Sequence, residues 1–142
     1  MTTPTRFDLL GPLPTGTTLL EASAGTGKTY AIVGLATRCV AEGLADISQV
    51  LLVTFSRAAT QELRERARER FAGVSAALVD PEEARRSDDD LVAYLATADD
   101  EEIGVRRRRL LRALAEFDAD TITTTHSFCQ RMLDGLGIAG ER

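Results

Sequence analysis

Apolar positions along this chain follow two periods, one typical of buried strands and one typical of amphipathic helices. Gln49–Phe55 is an almost continuous apolar run, which favours a strand buried in a parallel sheet. Thr17–Ala22 and Thr121–Thr124 are shorter apolar or β-branched runs that predict two more strands. Apolar residues at helical spacing predict helices over Lys28–Glu42 and Arg57–Ala72. Strands that alternate with helices predict an α/β fold, a parallel sheet flanked by helices.

The remaining segments predict a lead-in, an insert and a final helix within one domain that covers residues 1–142. Residues 1–15 are rich in proline and form the irregular lead-in. Residues 73–117 form a helical insert between the second and third strands. After the third strand, Thr125 or Ser127 caps a last helix that ends near residue 135. Within the insert we expect a break and then two helices: residues 73–80, 81–98 and 101–117.

Two runs of like charge lie in the insert. Asp88–Asp90 suggests a metal site, but consecutive residues on a helix point in different directions, so a solvated helix start is the better interpretation. Arg106–Arg109 could touch phosphate groups or neutralise the nearby acids Asp99–Glu102, and we favour neutralisation.

A glycine-rich segment lies between the first predicted strand and the first predicted helix. It follows the phosphate-loop pattern G-x-x-x-x-G-K-[ST], with alanine in the first position. Lys28 is the only lysine among the 17 lysine and arginine residues, and a compact ammonium suits a wrap of backbone N–H groups better than a guanidinium does. We call the following residues the phosphate loop: Ala22, Ser23, Ala24, Gly25, Thr26, Gly27, Lys28 and Thr29.

The expected chemistry of the phosphate loop is the binding of ATP with Mg²⁺. Gly25 and Gly27 allow backbone angles that a Cβ atom would forbid, so successive N–H groups can point at a phosphate. The helix that begins near Lys28 adds its positive N-terminal end. Lys28 would reach the β and γ phosphates, and the Thr29 hydroxyl would hold the Mg²⁺ ion. The alternative is a glycine-rich turn that binds nothing.

Two further segments lie at the carboxyl ends of the second and third strands, where open α/β sheets place their ligand contacts. Both contain hydroxyl groups, an aromatic ring and a helix N-terminus, which suit phosphate binding and base stacking on a single strand. Core packing of the two phenylalanines is an equal alternative, and a lone histidine is more often structural. The candidate residues are Thr54, Phe55, Ser56, Arg57, Thr125, His126 and Phe128.

The chain resembles the superfamily 1 helicases of the UvrD/Rep kind. Its segments EASAGTGKT, LLVTFSRAATQELRER and TTTHSFCQRML match helicase motif I, motif Ia and the following TxH motif, in the family's order. The amino-acid sequences of the first and third segments are most similar to those of the RecB type, with the AddA-type nuclease-helicases as the nearest alternative. The family shares the alanine at position 22.

The resemblance implies a P-loop, RecA-like fold: an incomplete first helicase lobe with a helical insert. It implies that Lys28 and Thr29 bind ATP phosphates and Mg²⁺, and that Gly25, Thr26 and Gly27 form the cradle. It also implies that Thr54 and its neighbours, together with Thr125 and His126, contact single-stranded DNA. The implied partners are single-stranded and double-stranded DNA ends and RecC- and RecD-like subunits. The implied activity is that of an ATP-dependent DNA helicase and exonuclease in double-strand break repair and recombination.

Several parts of such a motor are missing from this sequence. No Asp-Glu-x-Gln segment follows an apolar strand, and neither a second lobe nor a nuclease cluster is recognisable. We therefore expect an N-terminal fragment that binds ATP weakly and does not turn it over. The alternatives are a standalone regulatory module that binds nucleotide without catalysis, and a small P-loop kinase or other ATPase, which would leave the second and third segments unexplained.

Net charge and hydropathy exclude some further classes of protein. The net charge of −5 excludes a DNA-binding module that relies on overall positive charge, although a local groove stays open. The first residues lack the pattern of a signal peptide, and no apolar stretch is long enough to span a bilayer. We therefore expect a cytoplasmic protein that has no membrane partner.

Overall fold

The structure is a computed structural model that describes residues 5–21, 27–117 and 121–140. Within these ranges it contains helices α1 to α6, one short 3₁₀ helix and strands β1 and β2. In chain order they are α1 Lys28–Ala41, the 3₁₀ helix Ile47–Gln49, β1 Leu52–Thr54, α2 Arg57–Ala77, α3 Pro81–Arg85, α4 Asp90–Leu95, α5 Asp100–Glu116, β2 Ile122–Thr124 and α6 Thr125–Gly140. None of the described helices is long and apolar enough to cross a bilayer.

The two strands pair in parallel, as the alternation of strands and helices predicts. The register places Leu52 opposite Ile122 and Thr54 opposite Thr124. Both strands are shorter than predicted, and β1 occupies only the end of the apolar run Gln49–Phe55. The 3₁₀ helix overlaps that run only at Gln49, whose side chain accepts from Asp46 N at 2.9 Å at the start of this helix.

The predicted strand Thr17–Ala22 is wrong for the part that the structure describes. Residues 17–21 contain no strand, and the side chains of Leu19 and Leu20 are 81% and 43% exposed. A strand needs a neighbour that accepts its ladder hydrogen bonds, and the described sheet consists of β1 and β2 alone. Apolar composition by itself does not supply that neighbour.

Helix α2 lies at the centre of the core. Leu63, Ala67, Phe71 and Val74 form its buried face, at helical spacing. The Phe71 ring meets the Phe117 ring edge-on, with 6.3 Å between the ring centroids. Helices α1 and α5 pack against α2, so the insert shares one core with the helix of the phosphate loop.

The break predicted at Gly73 is also wrong, because α2 continues through Gly73 to Ala77. Val74 and Ser75 are both buried just beyond the glycine. Burying a valine side chain contributes about 1.5–3 kcal/mol, whereas glycine costs a helix only about 1 kcal/mol relative to alanine. Tertiary packing therefore outweighs local propensity at this position.

Within the insert, aspartates decide where helices begin. The segment 81–98 forms two helices, α3 and α4, because Asp89 accepts hydrogen bonds from Leu91 N and Val92 N and starts a new helix. Asp80 caps α3 and Asp99 caps α5 in the same way. The cap at Asp89 agrees with the helix-start interpretation of Asp88–Asp90.

Two arginines of the run in α5 donate hydrogen bonds to carbonyls at the carboxyl ends of neighbouring helices. Arg106 donates to the Leu95 carbonyl at 2.9 Å, and Arg109 donates to the Ala41 carbonyl at 3.0 Å. Both guanidinium groups also lie within 3.6 Å of Glu102. Neutralisation of the acids is thus confirmed for Glu102, and the cations additionally satisfy carbonyls at helix ends.

Gly43, which follows α1, is under two independent constraints. Its φ angle is 80°, and a Cβ atom there would lie 2.7 Å from Cζ of Arg109. We expect Gly43→Ala to lower the free energy of unfolding by about 1–2 kcal/mol, measured by urea denaturation.

The matched control for this change is Gly73→Ala. A Cβ atom at Gly73 meets nothing within 4 Å, and the residue lies inside α2. This substitution should stabilise the protein by about 0.5–1 kcal/mol. Equal effects of the two changes would contradict the assignment of both constraints to Gly43.

Candidate nucleotide and nucleic-acid site

The N-terminus of α1 has the geometry expected at the end of a phosphate loop. Gly27 precedes the helix with φ 87° and ψ 25°, a left-handed conformation that favours glycine. Among the described residues no side chain caps this helix, and its first turn contains no acidic residue. A Cβ atom at Gly27 would meet nothing within 4 Å, so the constraint is conformational.

These features are compatible with anion binding. A helix N-terminus presents N–H groups and a positive dipole end. Lys28 is exposed and Thr29 is half-buried in the first turn. The predicted residues Ala22–Thr26 lie outside the described residues, and the phosphate-loop assignment of Gly27, Lys28 and Thr29 stays a prediction.

The structure brings the second and third predicted segments together at the carboxyl edge of the sheet. Thr54 and Thr124 are partners in the register of β1 and β2. The Thr125 hydroxyl donates to the Thr54 carbonyl at 3.2 Å, which joins the two segments directly. The cap of α6 is Thr124, whose hydroxyl accepts from Ser127 N at 3.0 Å. The prediction that Thr125 or Ser127 caps this helix is therefore wrong, because the last strand residue already faces the free amides.

A small hydroxyl cluster holds the turn between β1 and α2. Thr60 donates to the Ser56 carbonyl at 2.9 Å, and its hydroxyl pairs with that of Thr54. The Ser56 hydroxyl accepts from Ala59 N at 3.0 Å, which caps α2 as predicted. Sequence reasoning missed Thr60 and Thr124 as positioning residues. A threonine one helical turn after a capping serine is the signal that could have found Thr60.

Several candidate side chains project from this edge. Phe55 is 96% exposed, so the described residues do not bury this ring in their core. Arg57 and His126 are exposed as well, and Phe128 is half-buried. The hydroxyl of Thr54 is bound within the turn, which suits a positioning role better than direct ligand contact.

The described residues form a largely helical structure with a small parallel two-stranded sheet, a glycine-led helix N-terminus and a polar edge where two strand ends meet. The chain belongs to the UvrD/REP helicase N-terminal domain family, whose model matches residues 8–139. The predicted resemblance to superfamily 1 helicases is thereby confirmed.

Individual relatives agree with this family. The chain is 58% identical over 137 residues to the RecBCD enzyme subunit RecB of Mycolicibacterium smegmatis, covering 95% of this chain and 12% of that protein. It is 50% identical over 138 residues to the RecBCD enzyme subunit RecB of Mycobacterium tuberculosis, covering 96% and 12%. It is 33% identical over 115 residues to an ATP-dependent helicase/nuclease subunit of Ligilactobacillus salivarius, covering 81% and 7%. The chain therefore spans about one eighth of the length of the RecB relatives.

Proposed function

We propose that this chain is the N-terminal part of a RecB-type helicase-nuclease subunit that binds ATP and single-stranded DNA during double-strand break repair. The direct hydrogen bond between Thr125 and the Thr54 carbonyl is the observation that carries the proposal, because it places both candidate DNA segments at one edge. The parallel pairing of β1 and β2 supports a P-loop, RecA-like sheet. The identity of 58% to a RecB, against 33% to the helicase/nuclease subunit of Ligilactobacillus salivarius, favours the RecB type.

In the proposed nucleotide site, the amides of the phosphate loop surround the ATP phosphates. Lys28 places its ammonium on the β and γ phosphates, and the Thr29 hydroxyl is a ligand of Mg²⁺. The Mg²⁺ ion neutralises phosphate charge when it is bound. Hydrolysis needs groups that are not recognisable in this sequence, so binding is the activity to measure on this chain.

In the proposed DNA site, the exposed Phe55 ring stacks on a base. Arg57 and the hydroxyl group of Ser56 contact the phosphate backbone. Thr125 holds the edge together through its hydrogen bond to the Thr54 carbonyl, and His126 and Phe128 complete the edge. Since the relatives are named as RecBCD subunits, we also propose RecC- and RecD-like partners and DNA ends as the substrate of the whole assembly.

The test of the DNA site is Phe55→Ala. Loss of one stacked base costs about 1–3 kcal/mol, so we expect affinity for a fluorescein-labelled oligo(dT) to fall about 5- to 100-fold. Fluorescence anisotropy at fixed salt measures it. Thermal unfolding should not change, because a ring that is 96% exposed contributes little to the core.

Leu44→Ala is the control for Phe55→Ala. Leu44 is 63% exposed and follows α1, away from the strand ends. This variant should bind the oligonucleotide like the wild type. Equal affinity of the Phe55→Ala variant and the wild type would overturn the stacking role.

A further inference from the structure

Tyr30 connects the nucleotide end of α1 to α2. It directly follows Thr29, and its ring is 56% exposed. The Arg70 guanidinium lies over this ring, 5.5 Å from the centroid, and Nη2 of Arg70 donates to the Tyr30 hydroxyl at 3.3 Å. A cavity of about 230 Å³ lies beside this contact and is lined in part by Thr29, Val33 and Arg70. Arg70 thus touches the turn of α1 that carries the proposed Mg²⁺ ligand.

Asp89 of the insert holds Arg70 from the other side. Both guanidinium Nη atoms of Arg70 donate to the carboxylate of Asp89, and the Nη2–Oδ1 distance is 2.9 Å. The same carboxylate caps α4 through Leu91 N and Val92 N. One side chain therefore starts a helix of the insert and fixes the arginine that faces Tyr30.

The charges keep this arrangement formed at neutral pH. The hydrogen bond from Arg70 is the main reason that the pKa of Asp89 is lowered, with burial opposing it and the Arg70 charge and the α4 amides adding to it. A lowered pKa in the folded state means that the pair stabilises the fold above the unfolded-state pKa and loses that contribution as pH falls through the folded-state pKa. Assays near pH 7 therefore sample the intact pair.

The contact between Arg70 and Tyr30 contributes little to stability. A cation lying over an exposed ring contributes only about 0.5–1 kcal/mol. The contact also has a geometric effect, because it fixes the first turn of α1 against α2. Fixing that turn orients Thr29 and the adjacent Lys28 before a ligand arrives.

We propose that Arg70 is a positioning residue that couples nucleotide binding at α1 to the helical insert, with Asp89 holding it in place. This inference rests on the proposed ATP site and concerns how the helical insert regulates ATP binding there. Because coupling between two sites is reciprocal, an intact insert raises ATP affinity, and bound ATP in turn protects the start of α4.

The test compares two aspartate caps in the full chain. Asp89→Asn keeps a good helix cap but removes the charge that holds Arg70. Asp80→Asn changes the cap of α3, whose recorded hydrogen bonds go to Glu82 N and Glu83 N. Calorimetric titration with Mg²⁺·ATP gives the affinity, thermal unfolding gives the stability, and hydrogen exchange at Leu91 and Val92 reports on α4.

The expected result, measured well below the melting temperature of both variants, is an approximately fivefold loss of ATP affinity in Asp89→Asn and none in Asp80→Asn. ATP should slow exchange at Leu91 and Val92 in the wild type, and Tyr30→Phe, which removes only the phenol hydroxyl, should reduce that slowing. A purely structural role would not produce this ligand-dependent protection. The coupling alone is overturned if Asp89→Asn binds ATP with wild-type affinity. It is also overturned if ATP leaves the hydrogen-exchange rate of α4 in the wild type unchanged. A wild-type chain that binds no ATP overturns the proposed nucleotide site as well.

Discussion

Replacing Lys28 by alanine is expected to weaken the affinity for Mg²⁺·ATP by about 10- to 100-fold. The reason is the loss of charge-assisted hydrogen bonds to phosphate, which contribute about 1.5–3 kcal/mol. Lys28 is exposed, and the structure records no contact of its side chain within the described residues. The melting temperature should therefore stay within about 1 °C of the wild type, as surface changes usually do. Calorimetric titration and thermal unfolding measure the two quantities.

Lys28→Arg makes this prediction more specific. Arginine keeps the charge but presents a planar fork that a loop of backbone N–H groups cannot enclose, so we expect affinity close to that of the alanine variant. Arg86→Ala is the control, because Arg86 is exposed and lies in the insert. Affinity retained in Lys28→Ala would exclude Lys28 as a phosphate contact and would mean that ATP binds away from this loop.

Replacing Arg38 by methionine is expected to destabilise the protein by about 3 kcal/mol, a fall in melting temperature of roughly 10 °C. The Arg38 side chain is only 4% exposed. It donates to Glu42, to the Tyr94 hydroxyl and to the carbonyls of Leu9 and Gly11. Methionine fills similar volume but removes the donor from the carbonyls of Leu9 and Gly11 and leaves Glu42 with only the Tyr94 hydroxyl.

The loss of Arg38 should also loosen the segment that leads into the phosphate loop. Arg38 binds two carbonyls of this segment, and the Leu9 side chain lies 2.7 Å from where a Cβ of Gly34 would be. Hydrogen exchange at residues 9–11 should accelerate in Arg38→Met.

The matched control is Arg66→Met. Arg66 forms the same kind of i,i+4 pair with Glu62, but both side chains of that pair are about 60% exposed. Pairs of this kind contribute about 0.3–0.5 kcal/mol. If Arg38→Met cost no more than Arg66→Met, the role of Arg38 as a buried link would be wrong.

The parts of the fold that rest on local signals were predictable. Helix α1 begins at Lys28 because Gly27 takes the left-handed conformation that the loop pattern requires. Ser56 caps α2 because its hydroxyl reaches the Ala59 amide, an interaction that spans three residues. The parallel pairing of the two strands follows from the helices between them.

The errors at residues 17–21, at Gly73 and at the start of α4 involve distant partners, whereas the error at the cap of α6 is local. Residues 17–21 have apolar character but no ladder partner in the described sheet. Gly73 stays helical because Val74 is buried in the core beyond it. The start of α4 depends on Asp89, whose second partner, Arg70, lies 19 residues earlier. Periodicity within one segment contains no information about such partners.

The sequence by itself determined the family, the phosphate-loop pattern and the two candidate strand-end segments, because each is a short run of residues whose chemistry acts locally. Only the tertiary structure decided that the strand ends meet through Thr125 and the Thr54 carbonyl, and that Phe55 faces solvent. It alone placed Arg70 between Tyr30 and Asp89, which are 59 positions apart in the chain. Contacts of this kind arise from the packing of α1, α2 and the insert around one core, and that packing is a property of the whole fold.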